Sequence, residues 1–348
     1  MGSKVMKALR KTQARPGAEI VELPVPSAGP GEVLIKVDVA AICGSDTHVY
    51  NWRKAVADAN PKLPFTMGHE FSGEVVAAGE EVRSLKPGDR VSGETHYPCG
   101  QCVVCLTGER HICPNTRTVG RNIDGCFAEY LVLPEICAHK VPESLSPRHA
   151  ALLEPLGVAV HAVTEAELSG KSAVILGVGP IGLMAVAVAK ALGAMKVFAT
   201  ARTPAKLEKA LALGATAVFN PKTQDIVKEV QAATNGNGAE VIIDFTGDPD
   251  AIYQGMQMLR PGGRVVLAAQ FKGPLAQGIS WFIIRKEPEI HGIWGRRMFE
   301  TWFLAEELLT SGKVDAEKII GDTYPLTSFE AGFSEAINSN IGKVLLKP

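Results

Sequence analysis

The sequence predicts an α/β protein in two parts, a β-rich domain and a doubly wound parallel sheet. Three observations predict it. The 348 residues exceed the roughly 250–300 that a single hydrophobic core usually serves. Residues 20 to 142 form short β-branched runs punctuated by Gly and Pro, and beyond residue 155 strand-like and helix-like stretches alternate. The composition supplies the material, with 46% hydrophobic residues for a core and 35 Gly and 22 Pro for turns.

Taken in order, "EVLIKVDVAAI", "FSGEVVAAG", "DRVSG" and "AEYLVLP" read as strands bounded by turn residues. Runs so short and closely spaced predict an antiparallel or barrel-like domain. Next come "SAVILGVG", "IGLMAVAVAKALGA", "KVFATA", "TPAKLEKALALGA", "AVFN", "TQDIVKEVQAAT", "AEVIIDFTG", "AIYQGMQMLRPG" and "GRVVLAAQ". Helices alternating with nearly continuous apolar strands predict a parallel sheet covered on both faces. Finally, "TWFLAEELLTSGK" and "SFEAGFSEAINS" predict amphipathic helices and "GKVLLKP" a closing strand. The expected boundaries are residues 1–156 for the β-rich domain and 157–296 for the α/β domain, with 297–348 returning to the first.

Charge narrows the partners. Lys and Arg number 36 against 37 Asp and Glu, a net charge of -1, which gives no footing for nucleic acid or an anionic membrane. The most apolar run, "LMAVAVA" at 183–189, stops at Lys190, short of the roughly 18 residues a spanning helix needs. The N-terminus lacks the basic, apolar and small-residue order of a secretory signal. A cytoplasmic protein acting on a small molecule is expected.

"PCGQCVVCLTGERHIC" places Cys99, Cys102, Cys105 and Cys113 in a chain with seven cysteines. The odd total and the cytoplasmic expectation disfavour disulfides. A redox pair would leave the other nearby thiols superfluous. Four thiolates joined by short loops can wrap one tetrahedral zinc, closed to chemistry.

A second group precedes and follows this clasp: "AICGSDTHVYNW" and "MGHEFSGEV" carry Cys43, Asp46, His48, His69 and Glu70, and "LLEPLGVAVHA" carries Glu154. A catalytic zinc has three protein ligands and one exchangeable position, which Cys43, His69 and a carboxylate would supply. Each residue alone reads more simply as core or helix start; the combination points to metal. For adjacent His69 and Glu70 to face one ion the backbone must bend, and Gly68 permits it. Whether Glu70 or Glu154 is the ligand stays open. Cys126 and Cys137 lack companions and read as core.

"VILGVGPIGLM" sets Gly177, Gly179 and Gly182 in GxGxxG order between an apolar strand and a helix that Pro180 and Ile181 open. The pattern predicts a dinucleotide site. The acidic residue that would receive the ribose hydroxyls should end the next strand. There "VFATARTP" has Ala201 and Arg202. A guanidinium can pair with a 2'-phosphate, helped by Thr200 or Thr203, so NADP is favoured over NAD.

Together these residues resemble the zinc-containing medium-chain alcohol dehydrogenases over nearly the whole chain. "ICGSDTHVYNW", "SGETHYPCGQC", "GCFAEYLVLP", "LLEPLGVAVHA" and "GRRMFETW" are most similar to the branch that oxidises L-threonine. The resemblance implies a GroES-like catalytic domain, a Rossmann coenzyme domain and a homotetramer. It makes Cys43, His69 and Glu70 ligands of a catalytic zinc, with Glu154 a carboxylate able to enter the shell. Ser45 and His48 become a proton relay, His96 a residue of the substrate pocket, and Cys99, Cys102, Cys105 and Cys113 ligands of a structural zinc. Ala201 and Arg202 depart from that branch, which generally carries the acid, and Val158 stands where many members have Asn. The alternative is an NADP-dependent polyol, sugar-alcohol-phosphate or other secondary-alcohol dehydrogenase; a more remote one is a non-catalytic NADPH-binding sensor.

Overall fold

The computed structural model describes residues 4–339 and 341–348. The chain divides into two compact units, Met1–Pro155 with Arg297–Glu306 and Ile320–Pro348, and Leu156–Arg296 with Glu307–Ile319. Residues 307–319, which the sequence reading placed with the returning segment, group with the second unit. Four apolar side chains there, Leu308, Leu309, Val314 and Ile319, are buried.

In the first unit the strand Glu32–Ala41 is central. It pairs antiparallel with Glu70–Ala78, Tyr130–Pro134 and Lys343–Lys347, and the sheet continues through Arg90–Gly93 and Ala138–Lys140 on one side and Ile320–Pro325 on the other. A smaller sheet joins Glu19–Pro24, Val5–Lys11 and Phe65–Thr66. Val33, Ile35, Phe71, Val75, Leu131, Leu133 and Leu346 meet in its core. Each such side chain contributes about 1.5–3 kcal/mol on burial. The closing strand predicted from "GKVLLKP" thus sits inside the sheet, and its last position before the apolar run, Lys343, is carried into the interior with it.

The second unit holds a parallel sheet in the spatial order Ala217–Phe219, Lys196–Thr200, Ser172–Leu176, Ala239–Asp244, Leu259–Leu267 and Glu289–Gly292. Ala173 to Leu176 are all fully buried, as a strand covered on both faces requires. The helix Pro180–Ala191 buries every residue from Gly182 to Ala189, which explains an apolar run with no polar face. No helix among the described residues is long and apolar enough to cross a membrane.

Two details differ from the pattern reading. The helix expected to run through "MLRPG" covers only Pro249–Met258, because Leu259 already pairs with Ala239 and opens a strand. Pro261 also disfavours helical backbone at Arg260. The edge strand Glu289–Gly292 was not anticipated; none of its residues is buried, so it leaves no hydrophobic period to detect.

Candidate functional site

The clasp forms on a loop after the strand His96–Tyr97. Sγ of Cys99, Cys102, Cys105 and Cys113 all lie within 4.8 Å of one another, with Cys102 to Cys113 at 3.8 Å and Cys99 to Cys113 at 3.5 Å. A sulfur tetrahedron around zinc has edges of about 3.8 Å, so the set fits that ion; a disulfide would need sulfurs about 2.05 Å apart. Backbone N–H groups of Gln101 and Cys102 face Cys99 and bring its thiol down to about 6, as a thiolate ligand needs.

The second cluster is assembled from two segments. Cys43 precedes the helix Gly44–Tyr50, Glu70 opens the strand Glu70–Ala78, and His69 stands between that strand and Gly68. The bend is real: Gly68 has φ +89, and a Cβ there would lie 2.3 Å from the Phe127 ring. Ligand atoms of Cys43, His69 and Glu70 gather within 4.8 Å of one another. Burial alone would raise the Cys43 thiol, but Lys343 and His69 outweigh it and bring it down to about 6.

Asp46 braces this group twice. Its Oδ2 accepts the Cys43 N–H at 2.9 Å, and its Oδ1 lies 3.4 Å from His69 Nδ1. A histidine fixed at one nitrogen by a carboxylate presents the other to a metal; that other nitrogen, Nε2, lies 3.4 Å from Ser45 Oγ. Glu70 is fully buried beside Lys343, whose Nζ stands 2.6 Å from both carboxylate oxygens. Hydrogen-bond geometry is met only at Oε1; Oε2 is buried without a hydrogen bond. A buried carboxylate beside a thiol and an imidazole, with one oxygen not engaged in a hydrogen bond, suits a divalent ion. Glu154 lies outside the three-ligand group, and its Oε1 accepts the Thr95 hydroxyl.

Ser45 is half-buried and His48 exposed on the helix Gly44–Tyr50, three residues apart and therefore on one face. His96 is buried. Its Nδ1 lies 3.1 Å from Glu94 Oε1, which also accepts the His96 backbone N–H at 3.0 Å.

In the second unit Gly177 follows the strand Ser172–Leu176 with φ +83, and a Cβ there would lie 2.4 Å from Thr246 Cγ2; at Gly182 a Cβ would lie 2.1 Å from the Gly177 carbonyl oxygen. Gly179 is the N-cap of the helix Pro180–Ala191, with no side-chain capping bond. The leading N–H groups can therefore receive an anion such as pyrophosphate. Ile181 lies in the first turn, half-buried. Ala201 is buried, and Arg202 and Thr203 are exposed. Thr200, offered by the sequence reading to a ribose phosphate, is buried instead, and its hydroxyl accepts the Gly177 N–H at 3.2 Å. Lys206, four positions past Arg202, lies in the first turn of the helix Pro204–Ala212, and burial and then Arg202 lower its pKa.

Two family models cover most of the chain, the alcohol dehydrogenase GroES-like domain over residues 29–143 and the zinc-binding dehydrogenase over residues 180–311. The L-threonine 3-dehydrogenases of Bacillus licheniformis and Pyrococcus abyssi are 43% and 44% identical to it, each aligned over 99% of both chains. The chain belongs to the zinc-containing alcohol dehydrogenase family. Among solved structures, 2R,3R-butanediol dehydrogenase from Bacillus subtilis superposes with a TM-score of 0.90 at 32% identity, covering 99% of each chain.

This alcohol dehydrogenase carries three groups that reading its sequence missed. Lys343, Glu94 and Lys206 are ordinary charged residues in their segments. Only Lys343 left a trace, as a charge leading an apolar strand whose neighbours are all buried.

Proposed function

We propose that this dehydrogenase oxidises L-threonine at its hydroxyl-bearing carbon, giving 2-amino-3-oxobutanoate while NADP+ becomes NADPH and one proton is released. The observation that carries the chemistry is the Cys43, His69 and Glu70 cluster with Ser45 at its imidazole. The full-length likeness to two L-threonine 3-dehydrogenases supports the substrate. Arg202 past a strand end without a carboxylate, and Lys206 in the helix that follows, support NADP over NAD.

When bound, the ion supplies Lewis acidity at the substrate hydroxyl and the nicotinamide supplies a hydride acceptor. Cys43, His69 and Glu70 would hold the ion, and Asp46 keeps His69 in the ligating orientation. Ser45 Oγ receives the hydroxyl proton and passes it to His48, whose exposure leads it to water. Burial pushes the Glu70 carboxyl well above the usual carboxylate range, and Lys343 beside it offsets part of that cost. Glu154, close enough to act electrostatically on Glu70, is a carboxylate that can exchange into the shell. Cys99, Cys102, Cys105 and Cys113 would hold a second, structural zinc. His96 belongs to the threonine pocket.

A polyol or secondary-alcohol substrate is the second reading, favoured by the Ala201 and Arg202 departure and by the likeness to a butanediol dehydrogenase. A cytoplasmic homotetramer completes the proposal. The helix Ile279–Lys286 buries none of its residues and exposes Trp281 and Ile284 at the end of the coenzyme sheet, a face suited to another copy. Initial rates with L-threonine, 2,3-butanediol and simple secondary alcohols, each with NAD and NADP and before and after chelation, test the function. A chelator-sensitive threonine rate is expected; silence on threonine with turnover of the diol would transfer the site to the second reading.

A further inference from the structure

His96 and "GRRMFETW", separated by some 200 residues, meet at one buried carboxylate. Glu94 is 1% exposed, Trp302 0% and His96 8%. Glu94 Oε1 takes the His96 backbone N–H at 3.0 Å and faces the ring Nδ1 at 3.1 Å. Its Oε2 takes the indole N–H of Trp302 at 3.0 Å. The indole is itself wedged against the rings of His139 at 5.3 Å and Phe299 at 5.8 Å, and His139 Nε2 lies 2.8 Å from Glu306.

We propose that Glu94 is a positioning residue for substrate recognition: it fixes the orientation and tautomer of His96, and Trp302 fixes Glu94. An ionised carboxylate only accepts, so Nδ1 must carry the proton and, in the neutral ring, Nε2 becomes the acceptor. The indole N–H only donates. It holds Oε2 and so sets the plane in which Oε1 meets the imidazole. Two of the sequence segments that resemble the threonine branch thus act as one unit. The link of this unit to threonine rests on the reading of His96 given above; the tautomer does not.

Glu94→Ala separates these statements. With no carboxylate left at Nδ1, the neutral ring takes up the Nε2–H form that free imidazole prefers. In zinc-loaded full-length enzyme labelled with 15N-histidine, the His96 resonances, identified by their loss in His96→Ala, are expected to change from the Nδ1–H to the Nε2–H tautomer at alkaline pH. Threonine kcat/KM should fall roughly tenfold or more, the scale of losing a hydrogen bond to a charged group. Glu94→Ala should then cost nothing further in a His96→Ala background. An unchanged tautomer, or losses that multiply in the double variant, overturns the proposal. If His96→Ala alone turns over threonine normally, the pocket reading falls, and the tautomer still decides the role of Glu94. Should Glu94→Ala fail to fold, Trp302→Phe frees only Oε2. It is expected to lower threonine kcat/KM about threefold with His96 present and not in its absence, and equal losses in both backgrounds overturn the proposal.

Discussion

Gly68 shows how a single backbone angle creates a site. At φ +89 and against the Phe127 ring, no side chain fits there, and the bend it makes turns His69 and Glu70 toward Cys43. Gly68→Ala combines left-handed strain with overpacking and is expected to destabilise the fold by about 3 kcal/mol, read from urea denaturation at equilibrium. Stability within error of wild type would mean that the bend does not depend on glycine. Arg202 offers a test at the coenzyme end. Arg202→Ala should lower kcat/KM for NADP roughly tenfold to a hundredfold, the value of a charge-assisted bond, and leave the NAD value nearly unchanged. Equal losses with both coenzymes would remove the 2'-phosphate role.

At the scale of elements the two cysteine groups have different duties. The clasp is one loop closing on itself, whereas Cys43 comes from one segment and the adjacent His69 and Glu70 from another that leads into the central sheet. Cys105→Ser should therefore remove one zinc per chain, lower the melting temperature and preserve turnover in the cold, because structural zinc contributes folding energy directly. Cys43→Ser should also remove one zinc per chain but abolish turnover while leaving the melting temperature close to wild type. Metal analysis beside calorimetry distinguishes the pair, and an active Cys43→Ser protein would withdraw the catalytic assignment.

For the whole molecule, the helix Ile279–Lys286 exposes Trp281 at 57% and Ile284 at 74%, the apolar face that the proposed assembly would cover. Ile284→Glu should shift the protein toward smaller species in light scattering at micromolar concentration. A distribution identical to wild type would remove this face from the proposed assembly. The edge strand Glu289–Gly292 beside it escaped sequence reading for a related reason. Its residues bury nothing within the chain, so no internal core dictated their hydrophobic pattern.

The sequence by itself determined the division into a β-rich and an α/β part, the clasp and the glycine turn. Each rests on local information: a period of apolar residues, a spacing of ligands within sixteen positions, or glycines consecutive in one turn. It also named Cys43, His69 and Glu70, but left Glu154 as an equal rival of Glu70. Tertiary structure decided what depends on distant segments. Lys343 reaches Glu70 only because the last strand enters the sheet of the first unit. Glu94 joins His96 to Trp302, which lies 208 positions beyond Glu94, and Thr200 turns to the glycine loop, where its hydroxyl accepts the Gly177 N–H. Charged and polar side chains carry no periodic mark of their partner, because the cost of burying them is offset by contacts that chain folding alone brings together.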